Sequence, residues 1–318
     1  MDRRTFQRLL LLSGLAVTGV GCASTTPLRV GLHPWPGYET LTLAEHFGWL
    51  PSGVHLTQGV SAVDSMGGLR EGRLDAAALT LDEVMTLRCE GLPLTVVLVF
   101  NESVGADQVV TRPGVSLVTQ IERDRPIRVA VETSAVGIVM FHKWRQSLDL
   151  PPGTFELVDL APAEQLAAWE ANHIDVAVSY PPYSKHLLQR GGVLIYDSSR
   201  IPGVILDVLA VHADRTGWRD RDRLKALMEA HFRGLNHLRR NSEDSMRRIA
   251  VWRALDYRDV LLSYAGINQP DEAMNRRLLA PGNLVSQAVE MLEPLMREAS
   301  LISGPCDFSG LNNARFIP

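Results

Sequence analysis

No stretch of this 318-residue chain reaches the roughly 20 apolar residues that a membrane-spanning helix needs. Lysine is nearly missing: only three of the 32 basic residues are Lys, at 143, 185 and 225. Basic charge is also not in surplus, since 36 acids leave a formal net charge of -4. That balance argues against a dedicated nucleic-acid binder. Cysteine is scarce, with Cys22, Cys89 and Cys306 alone and no C-x-x-C spacing. The usual zinc and dithiol motifs are therefore excluded. The nine histidines are dispersed, and no H-E-x-x-H or G-x-S-x-G constellation occurs. Neither enzymatic activity nor a cofactor or metal is expected. Apolar material is plentiful at 46% of residues, and the length suits two domains or one large α/β domain.

The N-terminus reads as an address. Arg3, Arg4 and Arg8 precede a short apolar run at 9–21, interrupted only by Ser13 and Thr18. A basic segment followed by a short apolar one is the pattern of an export signal, assigned here to residues 1–22. The Arg3-Arg4 pair resembles the twin-arginine signature, and a general secretory signal with incidental arginines is the other reading. Cys22 follows Gly19-Val20-Gly21, which looks like a lipobox with Gly19 where Leu is usual. Lipidation of Cys22 would tether the mature chain by acyl chains. Cleavage after Ala23 is the competing reading. Both place the mature protein in the periplasm or at the cell surface. In an oxidising compartment Cys89 and Cys306 either pair or remain free, buried thiols.

From residue 28 onward, short apolar runs alternate with amphipathic ones. Strands are predicted at 28–32, 54–60, 74–79 and 94–100, with helices at 40–50, 61–71 and 81–90 between them. A second set follows, with strands at 107–112, 127–131, 155–160 and 174–179 and helices at 134–148 and 163–172. The phrases EGRLDAAALT and ANHIDVAVSY share one design, a helix end, a turn, then Asp and an apolar strand. One falls in each half, which implies two similar lobes. An apolar run at 204–211 reads as a strand returning to the first lobe. Helices are predicted at 221–240, 242–255, 257–265, 271–279 and 284–301, and the tail 307–318 shows little pattern. The reading is an α/β protein of two βα lobes, residues 28–108 with 205–318 and residues 109–204, joined by a two-strand hinge and followed by extra C-terminal helices.

In open α/β sheets ligands bind beyond the carboxyl ends of the strands. The loops there carry Trp35 and Tyr38 on a Pro-stiffened turn, then Thr80, Ser103, Thr133, Ser134 and Tyr180 beside Pro181-Pro182. Ser103 could donate to an oxygen, and Thr133 or Ser134 could cap a helix or serve an anion. Asp207 lies inside the apolar return strand, where it must pair with an Arg or face the cleft. The same loops hold Glu39, Asp82, Glu83, Glu102, Asp107 and Glu132, and the nearest basic residue is Arg112. A bare anion would be repelled there, and a ligand carrying an amine or other donors fits better.

At LRVGLHPWPGYETLTLAEHFGWL, EGRLDAAALTLDEV, FNESVGADQVV and IDVAVSYPPY the chain resembles the substrate-binding components of nitrate/taurine/sulfonate-type ABC importers, relatives of the thiamine-pyrimidine-precursor binders. The resemblance implies a type 2 periplasmic-binding-protein fold that closes on a small organic solute. It implies delivery to a membrane permease with its ATPase, from a monomer. Sensing on behalf of a membrane signalling protein is the alternative role. It also implies ligand contacts from Trp35, Tyr38, Thr80, Ser103, Thr133, Ser134, Tyr180 and Asp207.

Overall fold

The computed structural model describes residues 26–114, 125–133, 136–148, 150 and 153–318. The expected leader at 1–22, with Cys22, and the expected site residue Ser134 lie outside these.

The described residues form two sheets. The first has six strands in the order β2-β1-β3-β10-β4-β11: β1 Leu28–Leu32, β2 Val54–Gln58, β3 Ala76–Thr80, β4 Leu94–Ser103, β10 Leu206–His212 and β11 Ile267–Asn268. The second has five in the order β7-β6-β8-β5-β9: β5 Gln108–Thr111, β6 Ile127–Val131, β7 Phe155–Asp159, β8 Val176–Ser179 and β9 Val193–Asp197. In each, three parallel strands are followed by an antiparallel one that arrives from the other lobe, β10 or β5. Central strands covered on both faces must be apolar throughout, and β3 and β8 are buried at every position. The edge strands β2 and β7 expose most of theirs.

Helices α1 Glu39–His46, α2 Ala62–Arg70 and α3 Leu81–Cys89 follow strands of the first sheet. Helices α4 Val136–Gln146, α5 Pro162–Glu170 and α6 Tyr183–Gln189 do so in the second. The C-terminal helices are α7 Arg221–Arg240, α8 Ser242–Arg253, α9 Tyr257–Ser263, α10 Glu272–Leu278 and α11 Leu284–Glu298. Helix α7 lies so close on α1 that a Cβ at Gly234 would stand 2.1 Å from the Thr40 carbonyl.

Three short elements escape the sequence pattern, among them the two-residue β11. Helix α6 has barely two turns, and β9 is an edge strand whose apolar positions are partly exposed. Helix 284–301 stops early, at Glu298, before Ser300 takes a left-handed backbone. The patternless tail is ordered by tertiary contacts. The Val96 amide donates to the Leu311 carbonyl at 2.6 Å, the Asn313 amide donates back to Val96 at 2.9 Å, and Phe316 is fully buried. A disulfide joins Cys89, at the end of α3, to Cys306 across 217 residues, so the open question of their state resolves to pairing.

The crossings at 104–107 and 198–205 are sewn together. Ser103 Oγ and Ser198 Oγ are 2.7 Å apart, the Gly105 amide donates to Ser198 Oγ at 2.7 Å, and the Ser198 amide donates to the Asp107 carbonyl at 2.9 Å. The Val104 amide donates to the Gly266 carbonyl at 2.7 Å. A side chain at Gly266 would meet the Ala106 nitrogen at 2.5 Å, so only glycine allows this approach.

Candidate functional site

A cavity of about 500 Å³ lies between the lobes. The sheet registers build it. Thr80, the last residue of β3, is paired with Asp207 at the start of β10. Ser179, the last of β8, is paired with Gln108, which sets Tyr180 and Asp107 at the same end of the second sheet. The carboxyl ends of the parallel strands and the arriving ends of the crossing strands thus face one cleft.

Of the eight expected site residues, Trp35, Thr80, Tyr180 and Asp207 line this cavity. Trp35 and Tyr180 meet across it edge to face, with ring centroids 5.3 Å apart, one ring from each lobe. Tyr38 stands behind the wall, fully buried, and its Oη donates to Asp207 at 2.6 Å. Asn101 Nδ2 donates to the second Asp207 oxygen at 2.7 Å, and Trp35 Nε1 donates to Asn101 Oδ1 at 3.0 Å. Asp207 therefore faces the cleft with neutral donors behind it rather than an arginine. Gly37 makes this possible, since a Cβ there would stand 1.8 Å from Asn101 Oδ1.

Ser103 is displaced from its expected place. Its hydroxyl is fully buried in the hinge, bonded to Ser198 and accepting from the Asp107 amide at 3.2 Å. The loop was legible, but the direction of the side chain was not. Thr133 is also off the cavity wall, its amide held by Asp159 at 3.0 Å, while its neighbour Glu132 faces in.

The wall is acidic. Glu39, Glu83, Asp107, Glu132 and Asp207 all line it. Burial pushes Asp207 up to about 7 despite the Tyr38 and Asn101 hydrogen bonds, and Asp107 up to about 6. Burial likewise raises Glu83, with the nearby Asp82 charge adding to it, and raises Glu132 with help from Asp159. His33, also on the wall, is lowered by burial to about 4 and is neutral at pH 7.

The basic residue at the site is not Arg112. That side chain lies over the Trp169 ring at 4.6 Å and donates to the Ile174 carbonyl at 2.8 Å, at the far end of the second sheet. Arg253, the last residue of α8, reaches the cavity instead and binds Glu39 at 2.5 Å. Nothing local in the sequence marks it, because it comes from a helix more than 200 residues beyond the loop that it meets. Val260 and Ser263 of α9, and Tyr264 just after it, also line the site, so the C-terminal helices form part of the pocket.

A family model described as NMT1-like matches residues 21–252. Among curated proteins none matches the sequence. Solved structures share the fold at low identity. The periplasmic aliphatic sulphonate binding protein SsuA from Escherichia coli is 18% identical with a TM-score of 0.72, over 91% of this chain and 92% of that one. The alkanesulfonate-binding protein SsuA from Xanthomonas axonopodis pv. citri, bound to MOPS, gives 14% and 0.68 over 88% and 95%. The periplasmic nitrate-binding protein NrtA from Synechocystis PCC 6803 gives 13% and 0.62 over 92% of each. The expected two-lobed periplasmic-binding fold is therefore the fold of this chain.

Proposed function

The chain belongs to the NMT1-like family, and from that premise we propose that it is an extracytoplasmic solute-binding protein of an ABC-type importer. It captures a small organic solute between its lobes and passes it, unaltered, to a membrane permease and ATPase. The observation that carries this reading is the interlobe cavity, with Trp35 and Tyr180 meeting across it from opposite lobes. A cavity of about 500 Å³ matches the size of small-ligand sites, and a doubly crossed hinge lets one lobe swing against the other. The similar proteins from E. coli and Synechocystis are named for sulphonate and nitrate binding, and both are called periplasmic.

Trp35, Thr80, Tyr180 and Asp207 contact the solute, and Tyr38 holds Asp207 in position. The lobes divide at residues 28–108 with 205–318 and at 109–204. The leader places the mature protein outside the cytoplasm, with Cys22 as its lipid anchor, and the Cys89–Cys306 disulfide suits that compartment. Small-angle scattering during solute titration tests the reading. Saturable binding with a fall in the radius of gyration is expected. A broad panel of solutes that neither binds nor compacts the protein would sink it.

A further inference from the structure

The cleft has an electrostatic asymmetry that bears on which solutes it takes. Resting on the solute-binding reading above, we infer that it selects solutes carrying a nitrogen cation, such as a protonated amine, and turns away bare oxyanions. Among the described residues, Arg253 is the one basic side chain on the cavity wall besides the neutral His33, and its guanidinium is held by Glu39 and lies 3.4 Å from Gln58 Oε1. Glu83, Asp107 and Asp207 are 3–4% exposed. Among the described residues, no basic side chain comes within 4.0 Å of any of the three. Carboxylates buried without a cationic partner are costly, and a cationic ligand supplies the missing partner.

Two further observations point the same way. His33 Nδ1 is buried on the wall without a hydrogen-bond partner, so with its proton on Nε2 the ring is free to accept from an ammonium N–H. The rings of Tyr180 and Tyr183, 5.8 Å apart, and of Trp35 offer faces on which a cation is held by the ring quadrupole. The charges are also divided between the walls. Glu83 and Asp207 come from the first lobe, Asp107 stands where the crossing chain enters β5 of the second sheet, and Glu132 follows β6 of that sheet. Closing an empty cleft draws like charges together, whereas closing on a cation neutralises them. Ligand charge and lobe closure are thereby coupled.

A matched pair of probes tests this. Benzylamine and phenylmethanesulfonate present similar bodies with opposite charge. Each is titrated calorimetrically into the mature protein at pH 7.5, with nitrate as a third probe. We expect benzylamine to bind and both anions to bind at least about 100-fold more weakly, as like-charge rejection requires. Asp207→Asn and Glu83→Gln, each confirmed as folded by circular dichroism, should weaken benzylamine binding by about tenfold or more. If the sulfonate or nitrate binds as well as the amine, the cation inference is overturned and the solute-binding reading stands. If none of the three binds, the inference is likewise overturned, and the scattering titration decides the reading separately.

Discussion

The two lobes are built alike at one end and differently at the other. In the first, Arg29 at the second position of β1 grips Asp75, just before β3, through its amide at 2.8 Å and its guanidinium at 2.9 Å. In the second, Arg128 at the second position of β6 grips Asp175, just before β8, through its amide at 3.0 Å and its guanidinium at 3.1 Å, and Arg125 adds two more bonds. Strand order also matches over five positions, β2-β1-β3-β10-β4 against β7-β6-β8-β5-β9, and the first sheet adds β11. Yet five residues further along those strands the likeness ends: β3 delivers Thr80 and the buried acid Glu83, and β8 delivers Tyr180 and a stiff Pro181-Pro182 turn. The ends away from the cleft carry the scaffold, and the ends facing it are free to diverge.

The largest effect should come from what only the first lobe has. Replacing Cys89 and Cys306 together by Ser should lower unfolding free energy by about 2–5 kcal/mol, read by urea titration, because the link closes a very long loop. If the loss is negligible, the tail contributes no more than any exposed terminus. Next come the matched clamps. Asp75→Ala and Asp175→Ala should each cost about 1–2 kcal/mol by leaving partly buried amide and guanidinium donors unpaired, and a large difference between them would break the likeness of the lobes. Burial alone would raise both carboxyls, but the arginine hydrogen bonds hold both below the ordinary aspartate range. Their stabilisation is therefore complete above pH about 4 and is lost as pH falls further.

Asp207 should behave oppositely, because burial raises it to about 7. A carboxyl raised on folding favours the native state below its unfolded value, near pH 4, and withdraws that support as pH climbs to about 7. Asp207→Asn should flatten the stability profile across this window, measured by thermal melts from pH 4 to 8. An unchanged profile would mean that Asp207 does not titrate there. The smallest stability effect is expected at Trp35. The ring packs partly on the core and faces the cavity, so Trp35→Ala should lower the melting temperature by only a few degrees while weakening solute binding about tenfold. A collapse in stability instead would make it a core residue first.

Much of this architecture was legible because burial imposes periodicity. The apolar β4, the Asp-plus-apolar phrases before β3 and β8, and the return strand with its lone Asp207 all carry patterns of period and punctuation. The stiff aromatic loop at 35–38 and Tyr180 were readable as pocket candidates because they follow strands. Arg253 was not, since its place depends on how α8 packs against the first lobe. Nor was the aim of Ser103, because a hinge serine and a pocket serine look the same in sequence. The clamps left a signal in the repeated Asp and in an arginine at the second position of β1 and of β6, but only the strand register joins the two.

The second sheet comes from one continuous run of chain, β5 to β9, while the first sheet draws strands from both sides of that run. A nascent polypeptide halted near residue 200 would thus hold every strand of the inner body, while the outer sheet still lacked β10, the strand between β3 and β4. Assembly of the outer body must wait for the last third of synthesis, and no cut at a single point in the sequence can divide the molecule into its two halves.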